Sequence, residues 1–180
     1  FLINTILVSS ALYLFFITLR DLFLKKFLNF AQNLSHFGFS LLILSILLNN
    51  IFSTEVITNL KIGETFQSEK VKIEFESADR RKIKNYDVII GKFNIENLNG
   101  VNDTFKPELR IYNQPKTMTS EADIKTSLFT DKFITINLVQ NQNYFNVRYQ
   151  TKPFMIWIWI SVLLISFGGL VSLFRKNYES

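Results

Sequence analysis

The stretch FLNFAQNLSHFGFSLLILSILLNNIF, residues 27–52, decides how the chain is read. It holds no Asp, Glu, Lys or Arg and is longer than the roughly 20 apolar residues that cross a bilayer as a helix, so it reads as a membrane span with some tilt. Inside it lies His36, the sole histidine of the chain. An ionisable, metal-capable side chain at membrane depth is costly and marks a functional site by default. Asn33, Ser35, Gly38 and Ser40 make a small and polar patch around it, and Gln32 and Ser40, four residues either side, are expected on its face. Two readings fit these residues. One is a packing seam against a neighbouring helix, with the histidine hydrogen-bonded across it. The other is an axial ligand whose small neighbours leave room for a flat macrocycle.

Working outward, residues 1–19, FLINTILVSSALYLFFITL, are also uncharged and extend about 28 Å as a helix, close to the thickness of the hydrocarbon core. Arg20, Lys25 and Lys26 follow in a basic segment, 20–26, expected on the cytoplasmic or matrix side. A secretory signal would carry its basic residues before the apolar run instead. Residues 153–174, PFMIWIWISVLLISFGGLVSLF, form a third span. Pro153 suits its start, Trp157 and Trp159 suit the interfacial belt, and Gly168 and Gly169 offer a close helix contact. Arg175 and Lys176 close it on the same side as Arg20. The expected organisation is two helices within 1–52 (1–19 and 27–52), an exported domain over 53–152, and a third helix with a short basic inside tail over 153–180.

The middle segment is read as β structure. In VKIEFES (71–77), Val71, Ile73 and Phe75 alternate with Lys72, Glu74 and Glu76, the period of a half-buried strand. DVIIGKFNI (87–95), KFITINLV (132–139) and NYFNVRYQ (143–150) follow suit, the last two joined by Gln140–Gln142 as a hairpin. MTSEADIKTSLFTD (118–131) offers only a short helical turn or loop. These signals predict a small antiparallel barrel or sandwich of five to seven strands.

Composition removes several chemistries. With no cysteine and one histidine, the chain has no disulfide, thiol nucleophile or multi-histidine metal site of its own. The net charge of +5 is not gathered into a basic stripe, which argues against nucleic-acid binding. The abundance of Phe, Ile, Asn and Lys, beside 6 Gly and 3 Pro, is the bias of an AT-rich gene, organellar or bacterial.

Three stretches carry a family resemblance: NLSHFGFSLLILS (33–45), FKPELRIYNQPKTMTSEADIKTSLFTDKFITI (105–136) and VRYQTKPFMIWIWISVLLISFGGL (147–170). The first resembles a helix with an Ala/Ser-His-x-Gly element. The second is similar to a Pro-Glu-x-Arg-x-Tyr segment followed by Met-Thr/Ser-Glu-Ala-x-Ile, and the third to a Lys-Pro entry into a Trp-containing last helix ending in Gly-Gly. Together they resemble the C-terminal part of the CcmF family, the membrane component of the cytochrome c haem lyase, either as the C-terminal subunit of a split mitochondrial form, which the residue bias favours, or as the end of a longer polypeptide.

The resemblance implies a haem-binding subunit of the lyase that attaches haem covalently to apocytochrome c. His36 matches the second of two membrane histidines that ligate a b-type haem, used to reduce the substrate haem. The other axial ligand would come from another chain, because the family's first membrane histidine, its two external histidines and its tryptophan-rich motif lie N-terminal to the matched region. WIWIS (157–161) is not that motif, since it lies in the final span. Gln32 or Ser40 is the candidate second-shell acceptor for the free imidazole nitrogen. The implied partners are the N-terminal half of the split lyase, a thioredoxin-like thiol subunit, a haem chaperone and apocytochrome c. The implied location is the mitochondrial inner membrane with the β-domain in the intermembrane space, or a bacterial inner membrane with a periplasmic domain. Such a chain is part of a multi-subunit enzyme and not catalytic alone. The alternative reading is a non-haem structural or assembly membrane subunit whose β-domain docks a partner complex.

Overall fold

A computed structural model of the chain describes residues 2–24, 30–97, 100, 102–139 and 143–176. Lys25, Lys26, the first residues of the second expected helix and the Gln140–Gln142 turn lie outside the described residues, as do the side chains of Arg175 and Lys176. Two compact units emerge. One comprises Phe1–Ser53, Ser127–Asp131 and Lys152–Ser180, the other Thr54–Thr126 and Lys132–Thr151.

Among the described residues the first unit holds three helices, α1 (Leu2–Leu24), α2 (Phe30–Phe52) and α3 (Met155–Lys176). Each contains a window long and apolar enough to cross a membrane, with mean hydropathy 2.0, 1.6 and 2.2. Helix α1 runs past the expected end at residue 19, so Arg20 and Asp21, in contact at 3.3 Å, sit on its final turns rather than in a loop. Pro153 is the last residue of a strand instead of the first of a helix. Phe154 follows at φ 62°, in left-handed backbone that a non-glycine residue seldom adopts, and turns the chain into α3. Helix α2 packs against both of the others.

The packing surfaces of the helices are small residues. A Cβ added at Gly38 would lie 3.0 Å from Ile165, and one added at Gly168 would run into Ser35 Oγ and the Ala31 carbonyl. Close backbone approach of this kind supplies van der Waals contact where lipid leaves no hydrophobic drive between helices. Gly169, expected to share that role, faces open space.

Among the described residues the second unit is a sandwich of ten strands, more than the five to seven expected. In chain order they are β1 (Thr54–Leu60), β2 (Thr65–Gln67), β3 (Val71–Lys82), β4 (Tyr86–Asn97), β5 (Asn102–Phe105), β6 (Glu108–Asn113), β7 (Lys116–Glu121), β8 (Asp123–Thr126), β9 (Thr130–Leu138) and β10 (Phe145–Pro153). One sheet has the order β1-β10-β9-β8, and the other β2-β3-β4-β6-β7 with β5 also paired to β4. Strands β9 and β10 are neighbours, as expected of a hairpin. Residues 118–131 form β7, β8 and the start of β9 rather than a helical turn. Strand β7 is almost wholly exposed, so no apolar alternation marks it in the sequence.

The alternating residues build the core. Val71, Ile73 and Phe75 are 5, 0 and 0% exposed, and Phe75 stacks on its cross-strand partner Phe93 at 4.3 Å between ring centres. Ile95, Phe105, Leu109, Ile134, Ile136 and Val147 complete a fully buried set drawn from both sheets. Burial of each such side chain contributes about 1.5–3 kcal/mol. The ladder of β3 shifts between Phe75 and Ser77, leaving Glu76 as the extra residue of a bulge. The bulge reverses the parity of the strand, so that Ala78 packs against the core where odd-numbered residues did before.

Candidate functional site

Helix α2 divides the polar patch around His36 three ways. Toward α3, Ser35 Oγ donates to the Ile165 carbonyl at 3.4 Å and Gly38 lies beneath Ile165. Toward α1, Ser40 is 0% exposed, contacts Thr18 Oγ1 at 2.6 Å and donates to the Phe37 carbonyl at 2.8 Å, while Asn33 donates to the Asp21 carbonyl at 3.2 Å. The Phe15 and Phe37 rings fill the same α1 contact at 5.5 Å.

His36 belongs to neither seam. It is exposed, on a stripe with Gln32, Phe39, Ile43, Ile46 and Asn50 whose spacing of four and three residues follows one face of a helix. Phe39 and Ile46 on that stripe are 55 and 49% exposed. The packing-seam reading thus describes Ser35, Gly38 and Ser40 but not the imidazole. Ser40, expected on the His36 face, is turned into the α1 contact with its hydroxyl engaged, which leaves Gln32 as the polar neighbour that shares the outward face. Four residues advance a helix by about 40° beyond a full turn, enough to carry Ser40 across the edge of the stripe. Thr18, which holds Ser40, had a weak signal as a hydroxyl in an uncharged run.

Among the described residues no group of three His, Cys, Asp or Glu side chains could hold a metal ion. A metal at His36 therefore needs donors from a cofactor or from outside these residues. The imidazole is free to make such a bond: it is accessible and neutral nitrogen is a good iron donor.

In the β-unit, the second motif stretch folds onto itself. Strands β6 and β7 pair with Glu108 opposite Glu121, and Arg110 binds Glu108 Oε2 at 2.9 Å and reaches Glu121 Oε1 at 3.7 Å. Its guanidinium also lies 5.4 Å from the centre of the Tyr86 ring, itself 5.2 Å from Tyr112. The Glu-x-Arg-x-Tyr and Ser-Glu elements are thus two sides of one ladder, which explains their ordered spacing.

A further cluster had no sequence signal, because its members come from three strands. Asp103 on β5 meets Lys125 on β8 at 3.3 Å and Lys132 on β9 at 2.8 Å, joining the two sheets. The hydrogen bond from Lys132 is the main cause that holds the Asp103 carboxyl below its ordinary value, against the opposing effect of burial. Burial, helped by the Asp103 charge, pushes the Tyr149 phenol up to about 12.

Residues 51–153 match the family model described as the CcmF C-terminal β-sandwich. The chain is 24% identical over 149 residues to the cytochrome c-type biogenesis protein CcmF of Pseudomonas aeruginosa, covering 83% of this chain and 23% of that protein. It is 38% identical over 74 residues to the mitochondrial protein ymf2 of Marchantia polymorpha, covering 41% of this chain and 23% of that one. The solved structure of the Cytochrome c Heme Lyase CcmF aligns with a TM-score of 0.70 at 15% identity, over 91% of this chain and 30% of that chain, which is a likeness of fold. The chain spans about a quarter of the length of these curated relatives. With more than half of its residues inside the matched sandwich, the chain belongs to the CcmF family and corresponds to its C-terminal portion.

Proposed function

We propose that the chain is a haem-binding part of a cytochrome c haem lyase, with His36 as one axial ligand of a membrane b-type haem. The observation that carries this reading is the outward imidazole. Among the described residues, Ser35, Asn33 and Ser40 and not His36 make the hydrogen bonds from α2 to the other helices, and His36 is exposed within a span, where a side chain of this kind pointed at lipid is costly. A site completed by another chain removes that cost. The residues fit such a group as half of its protein ligation: His36 would hold the iron, Gln32 would accept from the other ring nitrogen, and Phe39 on the same stripe would offer an apolar wall. Bound there, the haem would supply electron transfer to the substrate haem, and the protein's part is to hold the iron, tune it through burial and exclude water.

The missing ligand and the handling of apocytochrome c fall to partners: the N-terminal half of a split lyase, a thioredoxin-like thiol subunit and a haem chaperone. The residue bias of the chain and its mitochondrial relative support an organelle-encoded subunit of the mitochondrial inner membrane, with the sandwich in the intermembrane space.

The test uses the complex assembled in its native membrane. His36→Ala is expected to abolish the b-type haem absorption in the visible spectrum and the yield of holocytochrome c, while the protein level in the membrane is kept. Gln32→Ala should retain the haem with an altered reduction potential. An unchanged spectrum and unchanged yield in His36→Ala would sink the ligand assignment and leave the chain as a non-haem assembly subunit.

A further inference from the structure

The short connection from β8 into β9, residues Ser127–Thr130, belongs to the same compact unit as the helices. It is a closed turn. Ser127 N–H and Oγ–H both donate to the Thr130 carbonyl, at 3.1 and 2.7 Å, and Thr130 N–H returns to Ser127 Oγ at 3.1 Å. The two residues at its tip are large and apolar, and both face outward: Leu128 is 52% and Phe129 57% exposed.

The turn is fastened to the entrance of α3. The Phe154 N–H donates to the Phe129 carbonyl at 2.8 Å, and the Phe129 ring lies 6.5 Å from both the Phe154 and the Trp157 rings. Two residues further, on another face of the helix, Trp159 is 66% exposed. Leu128, Phe129, Phe154 and Trp157 therefore bring apolar and aromatic side chains together at the point where a helix apolar enough to cross a membrane begins.

We propose that the Ser127–Thr130 turn is a lipid anchor, with Leu128 and Phe129 dipping into the interfacial layer of the bilayer beside the first turn of α3. Three features favour lipid over another protein as the occupant. The patch lies at the start of a helix whose outer face is lipid-suited, Leu163 and Phe167 being 68 and 56% exposed. Aromatic side chains are enriched at this depth of the membrane. The hydrogen bonds that close the turn also satisfy backbone groups that could not be left unpaired in an apolar medium.

Because the chain has no cysteine, a single one can be introduced and spin-labelled. The full chain is reconstituted into phosphatidylcholine vesicles as Leu128→Cys, with Leu163→Cys as the lipid-facing reference and Lys70→Cys, at an exposed charged position, as the aqueous one. The label at 128 is expected to be relaxed more by oxygen than by a water-soluble nickel chelate, in the direction of position 163 and opposite to position 70. A label at 128 that behaves like the one at 70, or is shielded from both reagents, overturns the anchor. Hydroxyl-radical footprinting of the unsubstituted chain gives the same decision without a variant. Leu128 and Phe129 should be protected in vesicles, and oxidation of both to the extent of an aqueous residue refutes the proposal.

Discussion

The two units of this chain hide opposite kinds of residue. In the sandwich, the core is Phe, Ile, Leu and Val at 0% exposure, gathered from strands far apart in sequence. In the helices the order is inverted. Leu2, Ile3, Tyr13, Phe16, Leu163 and Phe174 are among the most exposed, whereas Ser40, Ser45 and Ser161 are among the most buried. The sandwich uses water to drive apolar side chains together. The helices have no such drive against lipid, so what they bury is what lets backbones approach and hydroxyls pair. Against that rule His36 and Gln32 stand out, as polar residues left on the apolar side of the inversion.

The sharpest way to break the comparison is to truncate the ring stack. Phe93→Ala is expected to destabilise the sandwich by about 3–5 kcal/mol, read as loss of its thermal transition in detergent while the helical signal persists. An effect as small as that of a surface substitution would mean that the sandwich is not an independent hydrophobic core. The helices should respond instead to added bulk. Gly168→Leu forces a side chain into Ser35 and Ala31 and is expected to cost about 1–3 kcal/mol of helix packing, seen as increased protease sensitivity of the membrane unit. The same change at Gly169, which faces open space, should be silent, and equal sensitivity at both positions would contradict the seam.

Ser40→Ala removes the contact with Thr18 and is expected to cost about 0.6 kcal/mol, the usual size of a hydrogen bond between membrane helices. A double-mutant cycle with Thr18→Ala measures it, and an interaction energy of zero would refute the pairing. The mildest perturbation is acid. Asp103 is held below its ordinary value of 3.8 by Lys132 and Lys125, so its contribution is complete above that value and is lost as the pH falls through the lower folded-state pKa. Lys125 is 41% exposed, and solvent screening keeps the effect small. Unfolding midpoints measured down that range should fall less steeply in Asp103→Asn, and parallel curves would remove Asp103 from the acid response.

Legibility differed between elements for physical reasons. Strands β3, β4, β9 and β10 were readable because one face of each is buried and alternation survives in the sequence. Strands β7 and β8 were not: β7 is exposed at every residue but Ser120, and β8 turns Ile124 outward with Asp123 and Lys125 half-buried. The bulge at Glu76 also escaped notice, since a change of parity reads as the end of a strand. At the candidate site, the histidine and its span were legible, and its surroundings were not. Gln32 and Ser40 are equivalent by spacing, yet one is exposed and the other sealed against α1.

The sequence by itself determined the three apolar helices, the β character between the second and third, the placement of the lone imidazole within a span, and the motifs shared with the CcmF family. Those follow from local hydropathy, from period and from ordered residues, none of which needs a neighbour to be known. Only the tertiary structure decided that α2 packs on both sides through Ser35, Gly38 and Ser40 and leaves His36 facing outward. Periodicity assigns residues to faces of one helix, but which face meets a neighbour depends on the shapes of the other helices. Here Gly168 and Thr18 claim two faces of α2, and His36 is left on a third.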